Sequence, residues 1–296
     1  FIGSGAFEIH PLAQSGSDRK NWLAATATQK YIITFNENLR ENEAFIYLSE
    51  LFRENELNTP GIYTVSPDRK YYIQEFVGSR TLSEIISKEG NTPEVQYLVQ
   101  RTLDQLFRLQ TKTIGKFDAE KAFEYERYDE LPVTHDLYYF KNFIADFLQI
   151  SYHKSALLKE FKTIAAEVES LGPKVLMLRD FQSRNIMVNE NSEVFFIDYQ
   201  AAMEGPAMYD VISFLFQAKA NFSENFRNEM LQYFIGLYPE SWQEELQTSV
   251  PWLQMMRYLQ VLGAYGFRGL IQRKPHFIES IPQAIKNLTL LTENWQ

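Results

Sequence analysis

The chain has 296 residues, and its 29 lysines and arginines against 38 aspartates and glutamates give a formal net charge of −9. Hydrophobic residues make up 45% and aromatic residues 15% of the chain, which supplies a buried core and excludes a disordered composition. The absence of cysteine excludes disulfide frameworks, thiolate zinc sites and cysteine nucleophiles. The negative charge also argues against a nucleic-acid partner, because the phosphates would be repelled.

The sequence contains no run approaching 18 consecutive apolar residues, and no basic segment precedes an apolar run at its start. We therefore predict no membrane span and no membrane partner. A chain without cysteine fits a reducing compartment, so the expected location is the cytoplasm. Since the first residue is Phe rather than Met, an additional domain outside this range stays open.

Residues 1–78 predict a small lobe of strands around one helix. The helix is predicted at Glu37–Asn55, where apolar residues recur at helical spacing between charged ones. Short runs rich in branched and aromatic residues predict strands at Phe7–Leu12, Asn21–Ala27, Tyr31–Phe35, Ile62–Val65 and Tyr71–Phe76. Val77-Gly78-Ser79 is interpreted as a hinge.

Residues 79–296 predict a larger lobe that is mainly helical, which makes the fold class α+β. Helices are predicted at Pro93–Leu109, Asp136–Ile150 and Lys154–Leu171, with several more after Met208. The exception is a predicted hairpin of two short apolar runs, Ile186–Val188 and Val194–Ile197, joined by a polar turn.

The hairpin carries the residues that suggest chemistry. If Val188 faces Val194, the antiparallel register places Asn185 opposite Ile197 and Asp198 beside it. Asp180 lies on the loop that enters the same end. These oxygen-bearing side chains suit Mg²⁺, which binds through one or two protein ligands together with substrate phosphates. The alternative is an Asp-rich turn whose carboxylates cap backbone N–H groups.

The motifs at this end resemble those of the aminoglycoside phosphotransferase and choline kinase family. Arg179-Asp180 followed by Asn185 is similar to the catalytic D-x-x-x-x-N pattern, and Ile197-Asp198-Tyr199 to the metal-binding Asp motif. The full run from 179 to 185, together with residues 258–266 and 274–277, is similar to the bacterial branch that phosphorylates N-acetylmuramate and N-acetylglucosamine at the anomeric hydroxyl. The likeness extends from about Leu12 to about Leu291.

The resemblance implies a protein-kinase-like fold and roles for individual residues. Asp180 would orient the acceptor hydroxyl and take its proton, while Asn185 and Asp198 would hold Mg²⁺ against the phosphates of ATP. Arg184 would either steady the γ-phosphate or substrate, or form a salt bridge within the loop. Arg179 would brace the catalytic loop, and Tyr209-Asp210 would support it through hydrogen bonds.

The resemblance also implies a nucleotide site in the small lobe. The loop between the first two strands would bring backbone N–H groups to the phosphates, with an ordinary hairpin turn as the alternative and Gly3-Ser4-Gly5 as a competing candidate. Gln74 and Phe76 would belong to the hinge strand that meets adenine, with a plain edge strand as the alternative. The nucleotide-binding candidates are Ser15, Gly16, Ser17, Arg19, Gln74 and Phe76.

One position departs from the family pattern. Thr34 stands at the end of the third strand, where a phosphate-binding lysine is expected. Lys30, Arg19 and Lys20 are the candidates to replace that lysine. Without it, Glu41 and Glu43 on the following helix are expected to lie on a solvated face rather than in an ion pair.

The acceptor is the least determined part of the prediction. Arg257, Gln260 and Arg268 are candidates for the acceptor cleft, with core packing as the alternative for their segment. We expect an ATP- and Mg²⁺-dependent kinase that phosphorylates a hydroxyl of a small molecule, an amino sugar. The alternatives are an aminoglycoside or choline-type kinase, and a catalytically inactive nucleotide-binding pseudokinase.

Overall fold

The computed structural model describes residues 7–12, 19–217, 220–293 and 295. The chain divides into two compact units. One unit contains the residues up to 126 together with 178–202, and the other contains 127–177 together with 203–296. The hairpin predicted to carry the chemistry therefore belongs to the unit built around the first sheet. The lobe boundary at residue 78 stays a prediction.

The first sheet is antiparallel and has the order β1-β2-β3-β5-β4. Its strands match the predicted ones to within about two residues at each end. Helix α1 joins the third and fourth strands, and Asn38 caps it by accepting a hydrogen bond from the Glu41 N–H at 3.2 Å. The elements are β1 (Glu8–Pro11), β2 (Lys20–Ala25), β3 (Lys30–Phe35), α1 (Leu39–Glu54), β4 (Ile62–Val65) and β5 (Tyr71–Glu75).

A short strand and two helices follow: β6 (Arg80–Thr81), α2 (Leu82–Glu89) and α3 (Pro93–Lys112). The start of α3 was predicted, and Thr92 caps it through the Val95 N–H at 3.3 Å. The sequence analysis did not predict α2. Its signal was a capping box, in which Thr81 and Glu84 bond each other's backbone N–H groups.

The second unit begins with α4 (Glu130–Phe140), which continues as a π-helix over Lys141–Asp146, and then contains α5 (Lys154–Ser170) and β7 (Lys174–Met177). Helix α4 begins six residues before the predicted position, and its capping residue is Asp129, which accepts from the Leu131 N–H at 3.0 Å. Strand β7 was not predicted as an element of its own.

The predicted hairpin is present as β8 (Ile186–Val188) and β9 (Val194–Phe196). It forms a three-stranded sheet with β6, in the order β6-β8-β9. Phe196 N–H also donates to Asn58 O at 3.0 Å, which ties the hairpin to the segment after α1. This pairing explains why the hairpin belongs to the first unit although it lies far along the chain.

The remainder of the second unit is helical apart from one strand, which pairs with β7. Its core includes Ile144, Leu262, Ile281 and Ala284. None of the helices in the described ranges is long and apolar enough to cross a bilayer. The elements are β10 (Met203–Pro206), α6 (Met208–Leu215), α7 (Glu224–Gly236), α8 (Glu240–Tyr265), a π-helix over Gly266–Ile271, α9 (Pro275–Ile278) and α10 (Ile281–Glu293).

Candidate active site

The register of the hairpin is the predicted one. Val188 pairs with Val194 and Ile186 with Phe196. One step further, the Ile197 N–H donates to Asn185 O at 3.0 Å. Asn185 therefore lies opposite Ile197, and Asp198 follows at the same end of the ladder.

Apolar packing and a polar turn fix this register. Phe181 and Phe196 are both buried, and their rings meet edge to face with centroids 4.9 Å apart. At the other end, Asn189 Oδ1 accepts from the N–H groups of Asn191 at 3.0 Å and Glu193 at 2.9 Å. A slip by one residue would reverse both faces of the hairpin, so the buried face holds the register.

Asp180 and Asn185 are in direct contact. The Nδ2 group of Asn185 donates to the backbone oxygen of Asp180 at 2.9 Å and approaches its carboxylate oxygen Oδ2 at 3.4 Å. Arg184 donates to the same oxygen at 2.8 Å. The salt bridge offered as an alternative for Arg184 is thus formed in this structure. About a third of the Asp180 side chain is exposed, so the carboxylate is open to water.

Two residues of the site have left-handed backbone conformations that non-glycine residues rarely adopt. Arg179 has a φ of 71° and Asp198 a φ of 64°. Each such residue costs of the order of 1–3 kcal/mol and persists where its surroundings hold it in place. The strained residues are thus Arg179, directly before Asp180, and Asp198 itself.

Asp198 is held by Arg19, the residue that precedes β2. Arg19 Nη2 donates to Asp198 Oδ1 at 2.8 Å and lies 2.9 Å from Glu41 Oε1. Burial opposes the positive charge of Arg19, but Asp198, Tyr72 and Glu41 together outweigh it and raise the pKa of Arg19 above its usual value. Gln200 Nε2 donates to the same Asp198 oxygen at 3.2 Å.

Tyr199 anchors the segment that carries Asp198. Its ring stacks on Phe45 at 4.7 Å and meets Phe52 edge to face at 5.0 Å, both on α1. Its hydroxyl is 2.7 Å from Ser49 Oγ, and burial raises the pKa of Tyr199 well above its usual value. This contact was not predicted from the sequence.

Position 34 and its neighbours are neutral. Thr34 is buried, donates to Asn21 Oδ1 at 2.7 Å and accepts from Gln74 Nε2 at 3.0 Å. Burial raises the pKa of Tyr72 to about 12, and the nearby positive charge of Arg19 acts in the opposite direction. The residue at the position where a lysine was expected is therefore neutral.

The prediction for Glu41 was wrong, whereas Glu43 lies on the predicted solvated face and forms an ion pair only at the surface. Glu41 has a side chain only 16% exposed and pairs with Arg19, because Arg19 supplies the positive charge that Thr34 lacks. Glu43 is more than half exposed and lies 3.4 Å from Arg69 Nε on the surface. The expected solvated face of α1 therefore includes Glu43 but not Glu41.

Of the predicted adenine-binding residues, Gln74 lies within β5 and Phe76 directly after it. Because β5 has β3 on one side and β4 on the other, it is not the edge strand that the alternative required. Lys30 Nζ lies 5.4 Å from the Phe76 ring centroid. Their contact with a nucleotide stays a prediction. Ser15, Gly16, Ser17 and the competing Gly3-Ser4-Gly5 lie outside the described residues.

The acceptor candidates lie in the second unit. Arg257 is buried and donates to Gln260 Oε1, which also accepts from the Tyr209 hydroxyl at 3.0 Å. Arg268 is half-buried on the π-helix after α8, with its guanidinium 5.4 Å from the centroid of the Phe277 ring. Tyr209 thus has a partner on α8, while its predicted support of the catalytic loop stays a prediction.

The donor set at the hairpin fits a hard divalent cation. Asn185 uses its Nδ2 group for Asp180, so its side-chain oxygen is the atom suited to a cation, and Asp198 supplies a carboxylate. Among the described residues there is no group of three or more His, Cys, Asp or Glu side chains able to hold a metal ion. A pair of one Asp and one Asn is the minimal ligand set that Mg²⁺ completes with water and phosphate oxygens.

Known proteins share both the sequence pattern and the fold. The model of the phosphotransferase enzyme family matches residues 8–244, most of the chain. An N-acetylmuramate/N-acetylglucosamine kinase from Neisseria meningitidis serogroup B is 22% identical over 250 residues, which are 81% of this chain and 72% of that protein.

Two solved structures match nearly the whole fold. The choline kinase LicA from Streptococcus pneumoniae has a TM-score of 0.61 at 15% identity, covering 95% of this chain and 93% of that one. An aminoglycoside phosphotransferase in ternary complex with ADP and hygromycin B has a TM-score of 0.62 at 13% identity, covering 97% and 93%. These matches confirm the predicted α+β, protein-kinase-like fold. The chain belongs to the phosphotransferase enzyme family, and it is a phosphotransferase.

Proposed function

We propose that this phosphotransferase transfers the γ-phosphate of ATP to a hydroxyl of an amino sugar, such as N-acetylmuramate or N-acetylglucosamine. One observation carries the proposal: the hairpin register brings Asp180, Asn185 and Asp198 to one end of a rigid ladder. The proposed setting is the cytoplasm, since a chain without cysteine is compatible with a reducing compartment.

Asp180 is the proposed base. Its carboxylate is partly exposed and fixed by Asn185 and Arg184, so it can accept a proton from an acceptor hydroxyl within hydrogen-bond distance. Positioned proton transfer of this kind contributes about 10²–10⁴-fold to a rate. When ATP and the acceptor are bound, Arg184 is proposed to leave Asp180 and to bind a phosphate or acceptor oxygen, because its side chain lies at the exposed edge of the loop.

Asn185 and Asp198 are the proposed ligands of Mg²⁺. When bound, the cation offsets negative charge on the phosphates during transfer. The chain's own contribution is to hold these ligands still: Asn185 by its bonds to Asp180, and Asp198 by Arg19, Gln200 and the packed Tyr199.

The nucleotide is proposed to bind on the first sheet. The loop with Ser15, Gly16 and Ser17 leads directly into Arg19, and Arg19 contacts Asp198. The side chain of Gln74 donates a hydrogen bond to Thr34, so Gln74 is proposed to meet the nucleotide through its backbone in β5. Phe76 follows the end of β5, and its backbone is proposed to meet adenine.

The amino-sugar acceptor is supported by the Arg-Asp-Phe-Gln-Ser-Arg-Asn motif and by the similarity to the Neisseria kinase. Of the three acceptor candidates, Arg268 is proposed to contact the sugar, because a guanidinium suits its hydroxyl and acetamido groups. Arg257 and Gln260 bond each other in a buried network, so they are proposed to support the acceptor cleft. Choline and aminoglycoside acceptors are the alternatives, and the two structural matches support them at the level of fold.

The test measures ATP consumption over a panel of N-acetylmuramate, N-acetylglucosamine, choline, ethanolamine and an aminoglycoside. Phosphorus NMR of the product identifies the hydroxyl that receives the phosphate. We expect turnover with an amino sugar, requiring Mg²⁺, and a loss of about 10²–10⁴-fold in kcat for Asp180→Asn.

Glu190→Gln is the matched control, because Glu190 lies on the exposed turn of the same hairpin and the substitution removes the same charge. It should leave kcat unchanged. Turnover restricted to choline or an aminoglycoside would overturn the acceptor assignment. Nucleotide binding without turnover of any acceptor would identify an inactive module.

A further inference from the structure

We propose that Arg19, the residue before β2, is the cation that contacts the phosphates of the nucleotide and replaces the lysine that position 34 lacks. The inference rests on the function proposed above and specifies how that site binds its phosphates. It also assigns Glu41 as the residue that positions Arg19.

Position 34 cannot supply the charge. Thr34 is buried and its hydroxyl is used twice, as donor to Asn21 and as acceptor from Gln74. The strand position that faces the nucleotide in the family is therefore occupied by a neutral hydrogen-bond network, and the positive charge has to come from elsewhere.

Arg19 is held between two carboxylates from distant parts of the chain. It lies 2.9 Å from Glu41 in the first turn of α1 and 2.8 Å from Asp198 after β9, with a side chain only 10% exposed. Glu41 is fixed in turn by the Asn36 Nδ2 group at 2.7 Å. A helix carboxylate thus sets the position of a cation beside the proposed magnesium ligand.

The bonding of Arg19 is incomplete. Its Nε atom is buried and has no hydrogen-bond partner among the residues that the structure describes. A buried donor without a partner costs free energy, and this one is at the charged edge of a guanidinium. The group that best satisfies it is an anionic oxygen, and guanidinium groups match phosphate geometry.

The two lysines that were also candidates lie near aromatic rings. Lys20 Nζ lies 5.9 Å from the centroid of the Phe35 ring, and Lys30 Nζ lies 5.4 Å from that of Phe76. Within the described ranges, neither contacts Glu41 or Asp198. Of the three replacements that the sequence offered, Arg19 alone is placed by the site carboxylates.

The test compares the affinities of ATP and adenosine, each with Mg²⁺, by calorimetry on the whole chain. For Arg19→Met we expect ATP affinity to fall by roughly 10- to 100-fold, the range for a charge-assisted hydrogen bond, while adenosine affinity stays within about twofold. Arg19→Lys keeps the charge, so it should retain most of the preference for ATP over adenosine.

Two further variants distinguish a loss of phosphate binding from a folding defect. Lys70→Met removes a lysine whose partner is the exposed Glu37, and it should leave both affinities and the melting temperature unchanged. The double variant Arg19→Met, Thr34→Lys returns a cation to β3 and should recover part of the ATP preference. A melting temperature near that of the wild type confirms that the Arg19 variants are folded.

An equal loss of ATP and adenosine affinity in Arg19→Met would overturn the inference, because it would show a purely structural role. If Arg19→Met left the ATP affinity unchanged while the wild-type enzyme was active, the inference about Arg19 would be overturned but the proposed function would not. Failure of the wild-type chain to prefer ATP over adenosine, or to phosphorylate any acceptor, would overturn the proposed function together with it.

Discussion

The end of the hairpin in the first unit and the end of α8 in the second differ in how their polar residues are held. At the hairpin, Asp180 and Asp198 each pair with an arginine and remain about a third exposed. At α8, Arg257 is buried and bonded to a neutral amide that also serves Tyr209. Partly exposed carboxylates on or next to strained backbone are typical of a reactive site, whereas the buried α8 network has the features of a supporting structure.

The largest effect that tests this contrast is expected for Asp198→Asn. The substitution keeps the shape of the side chain but removes the charge that pairs with Arg19 and that is proposed to bind Mg²⁺. We expect kcat to fall by about 10²–10³-fold, the cost of removing one group that stabilises transition-state charge. Steady-state rates over a Mg²⁺ titration measure this loss. A rate within a few-fold of the wild type would show that Asp198 does not act on the phosphates.

Gly266→Ala tests the second unit by its stability. A Cβ atom at Gly266 would lie 2.3 Å from Phe143 O, so the two π-helical segments would have to separate. We expect a loss of about 1–3 kcal/mol in the free energy of unfolding, the usual cost of overpacking. ATP affinity should be unchanged. Chemical denaturation and calorimetry measure both quantities.

Gly236→Ala is the matched control, since it adds the same methyl group to a helix of the same unit with no atom within 4 Å. It should be neutral or stabilising by up to about 1 kcal/mol, because alanine favours the helix. Equal losses in the two variants would contradict the close packing of the π-helices.

Arg257 and Arg268 should differ in the kind of effect they produce, and these are the smallest changes expected. Arg257→Met leaves Gln260 with one donor fewer in a buried network, so unfolding free energy should fall by about 1–3 kcal/mol. Arg268→Met removes a half-buried guanidinium that faces a ring, so the KM for the acceptor should rise by about two- to fivefold with little change in stability. Unfolding curves and acceptor KM values separate the two. The reverse pattern would move the acceptor role to Arg257.

The sequence predicted local features well because their causes are local. The strands β1 to β5, the start of α3 and the register of the hairpin follow from side-chain alternation, capping and a polar turn. Helix α2 was missed although Thr81 and Glu84 gave a capping signal, because Gly78 and Ser79 suggested a hinge.

The remaining errors are non-local. Strand β7 gains its partner only when Met203–Pro206 returns to pair with it, and a four-residue apolar run alone cannot show that. Arg19 and Asp198 are 179 positions apart, so no local pattern in the sequence could predict their contact. For the same reason Glu41 was assigned to a solvated face, since its partner Arg19 precedes β2 and is not at the end of β3, where a lysine was expected.

The most direct measurement is a crystal structure with Mg²⁺ and a non-hydrolysable ATP analogue. We expect a cation within about 2.0–2.1 Å of an Asp198 carboxylate oxygen and of the Asn185 side-chain oxygen, with phosphate oxygens completing its coordination. A cation and triphosphate bound with neither residue as a ligand would contradict it.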